Sequence, residues 1–388
     1  MPLVRELGAG RVPLELAEEF GRLGHSVETF DHRDAFPGVS TARWHDLLPL
    51  RFAKRAAAFV RAHAGSFDVI DALLGDLPFE KQRLGFDGLL VARSTGLYGL
   101  YRQYVEYERA VWRHRLPGTP AGRCLSRWAQ RRAFAACERS LRAADLVNLL
   151  NQDEHDYVQR ALGLGHRCVV FPNGLSGSHA GRLGATAGPP AVRLQRREVA
   201  VIGSWTLRKG VADWAEIVRR TRALVPAARF RFLGTGTGAA EVLADLELPA
   251  SEWVSVVPSY RSEELPGLLS HLTVGALPSY MDGWGLGVLE QMAAGLPTVA
   301  YDVPGPRAML GQLDPDLLVA PGDVARFSQR LAELLALPLP SYERLAARCR
   351  LVSQRFLWPT IASSTLTSYT EALARLRAGV DGLVQTVV

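Results

Sequence analysis

The sequence predicts an α/β protein of two domains, each with a parallel β-sheet covered by helices on both faces. Three observations support this fold class. The chain has 388 residues, which is longer than one typical domain. Apolar runs of strand length alternate with segments of helical spacing in both halves, and this alternation is typical of parallel sheets. Residues 176–190, between the halves, are rich in Gly, Ala, Ser and Pro and lack periodicity, as linkers do.

The first half begins with a predicted helix. Gly8, Gly10 and Arg11 lead into Pro13, which suits a first helical turn, and apolar residues at helical spacing continue until Gly24 ends the helix. Further predicted helices cover residues 50–64 and 154–162. Predicted strands cover residues 26–30, 67–73, 88–92, 146–150 and 168–171.

The second half repeats this alternation. Predicted strands cover residues 199–202, 229–233, 254–258, 272–277, 298–301 and 317–319. Predicted helices cover residues 211–224, 262–270, 286–294 and 324–335. We therefore expect a first domain at residues 1–175, a linker at 176–194 and a second domain at 195–356.

The basic charge of the chain is concentrated in one segment. The formal net charge is +6, and residues 101–145 hold ten arginines against four acidic residues. Aromatic residues are interleaved with these arginines on what are predicted to be two helices: Tyr101, Tyr104, Tyr107, Trp112, Trp128 and Phe134. This combination suits an anionic membrane surface. The alternative is a solvated helical hairpin, because the whole chain uses 42 arginines and only three lysines.

Targeting and redox features of the sequence are few. No run of 18 apolar residues occurs, and the N-terminus has no basic-then-apolar signal pattern. The four cysteines are scattered, without the spacing of a metal site or a disulfide scaffold. We expect a cytoplasmic protein with reduced thiols, with peripheral attachment to the inner face of the membrane as the alternative.

Residues 278–307 form the most informative stretch, and they predict a strand, a loop, a helix and a second strand. Gly283 and Gly285 would let backbone N–H groups approach a ligand where the loop meets the helix, and the helix dipole would favour an anion there. Asp282 and Glu290 bracket this predicted phosphate site. The alternative is an ordinary strand-to-helix turn and a glutamate that reaches solvent.

This stretch resembles the donor-site signature of the family 4 retaining glycosyltransferases. The family has a carboxylate, a Gly-aromatic-Gly turn, a Glu after seven intervening residues, and a Met-Ala-x-Gly-x-Pro-x-Val run. The sequence departs from this pattern at Asp282, where the family usually has Glu. The resemblance implies the GT-B fold, in which two Rossmann-like domains face a cleft.

Three further elements resemble the same family. Gly24-His25-Ser26-Val27 ends the first helix as in the family, although only residues 2–6 could form the strand that usually precedes this helix. Pro172-Asn173-Gly174 resembles the end of the family's first domain. Residues 356–359 and the helix after them, to about residue 388, resemble the terminal element that crosses back to the first domain.

The resemblance also implies roles for individual residues. A departing nucleoside diphosphate needs fixed positive charge. Lys209 matches a family residue that binds the diphosphate, Ser204 stands at the usual Arg position, and the neighbouring Arg208 is the candidate that would compensate. Glu290 would bind the ribose hydroxyls and Asp282 the hydroxyls of the transferred sugar. We take these two carboxylates and the two cations as the catalytic candidates. The donor-binding candidates are Gly203, Ser204, Gly234, Gly236, Tyr260, Glu264, Gly283, Trp284, Gly285 and Leu286.

The acceptor side is less well matched to the family. Many members carry a His where this chain has Thr95, whose hydroxyl cannot carry a positive charge, so Arg93 is the candidate cation of this loop. The acceptor-side candidates are Gly10, Arg11, Arg93, Thr95 and Asn173.

The expected function is transfer of a sugar, with retention, from a nucleotide-diphosphate sugar to a glycan or lipid-linked acceptor in the synthesis of cell-surface polysaccharide or glycoconjugate. We expect no metal ion, no cofactor and no nucleic-acid partner. One alternative is a nucleotide-sugar epimerase of the same fold. The other is a nucleotide-sugar-binding protein with weakened catalysis, which Asp282, Ser204 and Thr95 together make conceivable.

Overall fold

The computed structural model describes residues 3, 8–38, 49–112, 119–248 and 252–379. The chain divides into two compact units. The first comprises Met1–Pro172 and Ile361–Val388, and the second comprises Asn173–Thr360.

The first unit contains one parallel sheet of four described strands in the order β1-β2-β3-β4. Its strands are β1 (Val69–Leu73), β2 (Leu89–Arg93), β3 (Leu146–Leu149) and β4 (Cys168–Val170). Its helices are α1 (Gly8–Arg22), α2 (His32–Ala35), α3 (Pro49–His63), α4 (Lys81–Leu84), α5 (Tyr98–Val111), α6 (Pro120–Ala143) and α7 (Gln152–Leu162). The apolar core of this unit includes Val147 and Leu149 of β3, packed with Leu97 and Leu141.

The second unit contains a parallel sheet of six described strands in the order β10-β9-β8-β5-β6-β7. Its strands are β5 (Glu198–Ile202), β6 (Arg229–Leu233), β7 (Val254–Val257), β8 (Val274–Leu277), β9 (Thr298–Tyr301) and β10 (Leu318–Val319). Its helices are α8 (Gly177–Thr186), α9 (Pro190–Arg196), α10 (Val211–Leu224), α11 (Ala239–Asp245), α12 (Leu265–Leu269), α13 (Leu286–Ala293), α14 (Pro304–Leu310), α15 (Val324–Leu335) and α16 (Leu339–Ser353). β5, β8 and β9 are buried along their whole length, as the continuous apolar runs predicted.

The last described helix, α17 (Trp358–Ala378), begins in the second unit and belongs to the first from Ile361 onward. Before it, Leu175 donates its N–H to the Phe356 carbonyl and accepts from the Trp358 N–H, at 3.0 Å each. The prediction of a terminal helix that returns to the first domain is therefore confirmed. Its predicted continuation through residues 380–388 lies outside the described residues.

The linker prediction for residues 176–194 is wrong. These residues form α8 and part of α9, and both helices belong to the second unit. Their small residues show little apolar periodicity, but Ala180, Leu183 and Arg193 are buried against the rest of the unit. The helices therefore depend on tertiary packing more than on local propensity.

The strand prediction for residues 26–30 is also wrong. Residues 26–29 are exposed, and a cavity of about 460 Å³ separates this segment from β1, which has β2 as its only strand neighbour among the described residues. An extended segment becomes a strand only when a neighbour pairs with its backbone. The strand considered at residues 2–6 falls outside the described residues except for Leu3, whose N–H donates to Asp31 Oδ2 at 2.9 Å.

Candidate functional site

The turn after β5 is pressed against the loop after β8, and glycine makes this possible. Gly203 has φ +149° and Gly210, the N-cap of α10, has φ +83°. A Cβ at Gly210 would lie 2.2 Å from the carbonyl oxygen of Pro278, which no larger residue could tolerate. The two loops that carry the predicted diphosphate cations and the first carboxylate are thus brought together.

The predicted cations make specific contacts across these loops. Lys209 Nζ forms an ion pair with the Asp282 carboxylate. Arg208 Nη1 donates to the Met281 carbonyl at 2.9 Å, and the Arg208 carbonyl accepts from the Tyr280 N–H at 2.9 Å. Three of the four catalytic candidates therefore lie in one part of the second unit.

Asp213, which the sequence reading missed, holds this arrangement in place. Its Oδ2 accepts hydrogen bonds from Tyr280 Oη at 2.8 Å and from Tyr301 Oη at 2.6 Å. Burial and the adjacent Asp213 carboxylate raise the pKa of Tyr301, so its hydroxyl keeps its proton and donates. Asp213 lies in the first turn of α10, directly after the Lys209 turn, so it ties that turn to the Tyr280 loop.

The turn before α13 has the backbone geometry that the glycines predicted. Gly285 has φ +83° and is the N-cap of α13, whose first residue is Leu286. Gly283 and Trp284 are buried before it, and the Trp284 ring meets Phe356 edge-on at 5.2 Å. A helix N-terminus with glycines beside it presents backbone N–H groups and partial positive charge to an anion.

Glu290 is buried rather than solvent-facing, which excludes the alternative interpretation of an exposed helix face. It lies on α13 with 5% of its surface exposed. Its Oε1 lies 3.3 Å from His179 Nε2 of α8, and His179 is 3% exposed. His179 lies in the stretch predicted to be linker, and no pattern of residues there predicted this contact.

The remaining donor-side candidates lie on three turns of the second unit. Gly234 and Gly236 have φ +72° and +66°, and a Cβ at Gly234 would lie 3.1 Å from the Tyr260 ring. Ser204 is exposed on the turn after β5. Glu264 precedes α12 and accepts the Arg261 N–H at 2.7 Å, a bond that, with the Arg261 side chain, lowers the pKa of this carboxyl. The donor-binding role of Glu264 stays a prediction.

Arg93, the predicted loop cation of the acceptor side, is instead the last residue of β2 and is 2% exposed. Its Nη2 donates to Asp71 Oδ2 at 2.6 Å and to Tyr369 Oη at 2.7 Å. Burial would lower the pKa of Arg93, but the Asp71 carboxylate more than offsets this and raises it. The charge of Arg93 is thus neutralised within the first unit, between β1 and α17.

Thr95 is exposed on the loop between β2 and α5, and a buried carboxylate holds this loop. Glu154 Oε1 accepts the Leu97 N–H at 2.8 Å, and its Oε2 accepts the Leu150 N–H at 3.0 Å. Burial raises the pKa of Glu154 to about 7. Glu154 therefore links the Thr95 loop to the start of α7.

The raised pKa of Glu154 gives a testable pH dependence. Between the ordinary pKa of 4.5 and about 7, the unfolded chain has released the proton that the folded chain keeps, so the free energy of unfolding should fall as pH rises. This slope reaches about 1.4 kcal/mol per pH unit. The free energy of unfolding is measured by urea unfolding at several pH values between 5 and 7. In Glu154→Gln, the contribution of this residue to the pH dependence should be absent. If the free energy of unfolding of wild type, relative to that of Glu154→Gln, rises with pH in this window, the raised pKa of Glu154 is contradicted.

The other acceptor-side candidates are dispersed. Gly10 and Arg11 lie within α1, which begins at Gly8 and contains Pro13, rather than before a helix that starts at Pro13. Arg11 is buried, with Nε 3.7 Å from Glu15 Oε2. Asn173 is buried and belongs to the second unit. Their acceptor roles stay predictions.

Comparison with known proteins finds a family match in the second unit, which contains the turns described above. Residues 196–337 match the family described as "Glycosyl transferases group 1". The 2-deoxystreptamine glucosyltransferase of Streptomyces kanamyceticus is 27% identical over 278 residues, which is 66% of this chain and 66% of that protein. The chain thus spans just under two thirds of the length of this relative.

Solved structures support the fold. The sucrose-phosphate synthase of Thermosynechococcus elongatus superimposes with a TM-score of 0.71 at 20% identity, over 95% of this chain and 94% of that one. HepE of Anabaena, in complex with UDP and glucose, gives a TM-score of 0.65 at 15% identity, over 94% of this chain and 96% of that one. The family match lies on the second unit, and the structural matches, which extend over both units, show that the chain has the GT-B fold.

Proposed function

We propose that this protein is a retaining glycosyltransferase that moves a sugar from a nucleoside-diphosphate sugar to a glycan or lipid-linked acceptor, in the synthesis of cell-surface polysaccharide or glycoconjugate. One observation carries the proposal. Lys209 and Asp282 are in contact where two glycine-rich turns meet the helices α10 and α13. Cationic side chains and helix N-termini are the groups that bind a diphosphate and stabilise its departure.

In the proposed reaction, the bond between the sugar and the diphosphate breaks and negative charge develops on the diphosphate. Lys209 and Arg208 stabilise this charge, and the N–H groups before α13 assist. Because the chain supplies these charges itself, we propose that the reaction needs no added metal ion or cofactor, and turnover in the presence of a chelator tests this point.

Asp282 has a separate part in the proposal. In the structure it is the anion that contacts Lys209. A diphosphate carries more negative charge than one carboxylate, so it would replace Asp282 at Lys209. Asp282 would then accept hydrogen bonds from hydroxyls of the transferred sugar, and Glu290 would accept those of the ribose.

The names of the similar proteins support the proposed sugar donor and the proposed acceptor. HepE was solved with UDP and glucose, which supports a nucleoside-diphosphate donor. The Streptomyces relative is named as a glucosyltransferase that acts on 2-deoxystreptamine, which supports transfer to a hydroxylated acceptor.

The proposed function is tested with a panel of nucleotide sugars. A donor that binds only the folded protein raises its melting temperature. With that donor and no acceptor, we expect slow release of the nucleoside diphosphate. Stable binding with no release under any acceptor mixture would favour the binding protein, and conversion of the donor into its epimer would favour the epimerase.

We propose that the helical hairpin of α5 and α6 lets the protein attach to an anionic membrane surface from the cytoplasmic side. No helix in the described part of the chain is both long and apolar enough to cross a membrane. Four large apolar side chains, each 42–49% exposed, lie near the end of α5 and the start of α6: Tyr107, Val111, Leu125 and Trp128. Exposed arginines accompany them, and Arg132 lies over the Trp128 ring at 4.6 Å. Arg113 and Arg115 fall outside the described residues.

The membrane proposal predicts co-sedimentation with vesicles that contain phosphatidylglycerol, and weaker binding as salt rises. Each surface arginine should contribute about 1 kcal/mol. Reversal of Arg127, Arg131 and Arg132 to Glu should abolish sedimentation and spare donor hydrolysis. Reversal of three exposed arginines of the second unit, Arg182, Arg196 and Arg344, is the matched control. Wild-type protein that stays in the supernatant at low salt would identify the arginines as a solvated face.

A further inference from the structure

We propose that His179 is the positioning residue of Glu290 and that, through this contact, it sets a preference for a ribonucleoside diphosphate over its 2′-deoxy counterpart. This inference rests on the proposed function, because it assigns Glu290 to the ribose hydroxyls. It adds a residue of α8 that the donor signature does not include.

The contact between the two side chains is direct and buried. His179 Nε2 lies 3.3 Å from Glu290 Oε1, and the side chains are 3% and 6% exposed. Ser176, the N-cap of α8, accepts the His179 N–H at 3.3 Å and so fixes the first turn that carries the ring. The position of the imidazole is therefore set by its own helix and not by Glu290 alone.

The polar chemistry of the imidazole is directed to Glu290. Nδ1 is buried and has no hydrogen-bond partner among the described residues, so Glu290 is the one hydrogen-bond partner of the ring in that part of the chain. A histidine kept for the stability of the fold would gain more from a second partner or from an apolar replacement. A histidine kept to hold one carboxylate needs only this bond.

The effect on Glu290 follows from the geometry of this contact. His179 Nε2 lies at hydrogen-bond distance from Glu290 Oε1 and so restricts the orientation of this carboxylate within a buried site. An oriented carboxylate can accept hydrogen bonds from ribose hydroxyls, and a site built around a hydroxyl discriminates against analogues that lack it.

The contact acts on one end of the ligand only. The diphosphate cations Arg208 and Lys209 lie on the turn after β5, and the contacts described for them with the loop after β8 are with residues 279–282. Loss of the His179 contact should thus weaken recognition of the ribose and leave recognition of the diphosphate unchanged.

The test compares three substitutions that differ in where they place a hydrogen-bond donor for Glu290. His179→Leu removes the hydrogen-bond donor. His179→Gln can place its terminal nitrogen near the position of Nε2, whereas the shorter side chain in His179→Asn reaches only about as far as Nδ1. Titrations use UDP and GDP, their 2′-deoxy counterparts, and pyrophosphate as a probe of the diphosphate end.

We expect wild type to bind the better of the two ribonucleotides at least about tenfold more tightly than its deoxy form, as the loss of one well-made hydrogen bond to a charged group implies. In His179→Leu and His179→Asn this ratio should fall below about threefold with pyrophosphate binding unchanged, and His179→Gln should restore it. In steady-state assays the donor KM should rise and kcat should hold.

Each other outcome overturns the inference. If His179→Leu or His179→Asn keeps the wild-type ratio, or if Gln and Asn lose it equally, His179 does not position Glu290. If His179→Leu does not yield folded protein, the comparison of His179→Gln with His179→Asn decides whether His179 positions Glu290. If wild type binds ribonucleotide and deoxyribonucleotide equally, the inference fails and the proposed function stands. If it binds no nucleoside diphosphate in the donor panel, the proposed function fails as well.

Discussion

Replacement of Lys209 by alanine should lower turnover by about two to three orders of magnitude, because it removes fixed positive charge from the departing diphosphate. Lys209 is half-buried beside Asp282, on a turn that packs closely against the Pro278 loop at Gly210. In this position its charge is less screened than that of a surface lysine. The measurement is kcat with saturating donor and acceptor.

Two control variants separate charge from folding in this experiment. Lys209→Arg keeps the charge and should retain a larger share of the activity than Lys209→Ala. Arg220→Ala removes an exposed cation from the neighbouring helix α10, where it pairs with Glu216, and should be close to neutral. Turnover of Lys209→Ala within about threefold of wild type would remove Lys209 from the reaction.

Replacement of Arg193 by methionine should lower the free energy of unfolding by about 3–5 kcal/mol, since it leaves several buried acceptors without a donor. Arg193 is 1% exposed and donates to the carbonyls of Leu272, Ala294 and Gly295 at 2.8–3.2 Å. Two of these carbonyls directly follow α13, where the helix dipole favours a cation. Burial lowers the pKa of Arg193 because it disfavours the charged guanidinium. The three hydrogen bonds therefore also offset the cost of burying this charge.

The control for Arg193 lies on the same helix. Arg196 is exposed at the end of α9, and Arg196→Met should change stability by no more than about 0.5 kcal/mol. Urea unfolding followed by tryptophan fluorescence measures both variants. Equal stability of Arg193→Met and Arg196→Met would show that the three carbonyls find other donors.

Most regular elements of the second unit could be predicted from the sequence. The structure reproduces the expected bounds of α10, β6, β9 and α15, and the other predicted strands agree within two residues. Buried parallel strands are continuous apolar runs, and amphipathic helices repeat their apolar residues every three to four positions. Elements whose stability comes from neighbours were missed, among them α8, α9, α14 and α16.

The sequence by itself determined the two alternating halves and the residues that lie at the strand-to-helix turns: Gly203 and Gly285, with Lys209 and Asp282. These features are local, because a turn, a helix N-cap or a positive φ depends on residues that are adjacent in the chain. Only the tertiary structure decided that Glu290 is buried against His179, that Asp213 joins two tyrosines, and that Arg93 is neutralised by Asp71. The partners in these contacts lie 22 to 111 residues apart. Such contacts depend on how helices and strands pack, and no local pattern of residues encodes a partner at that distance.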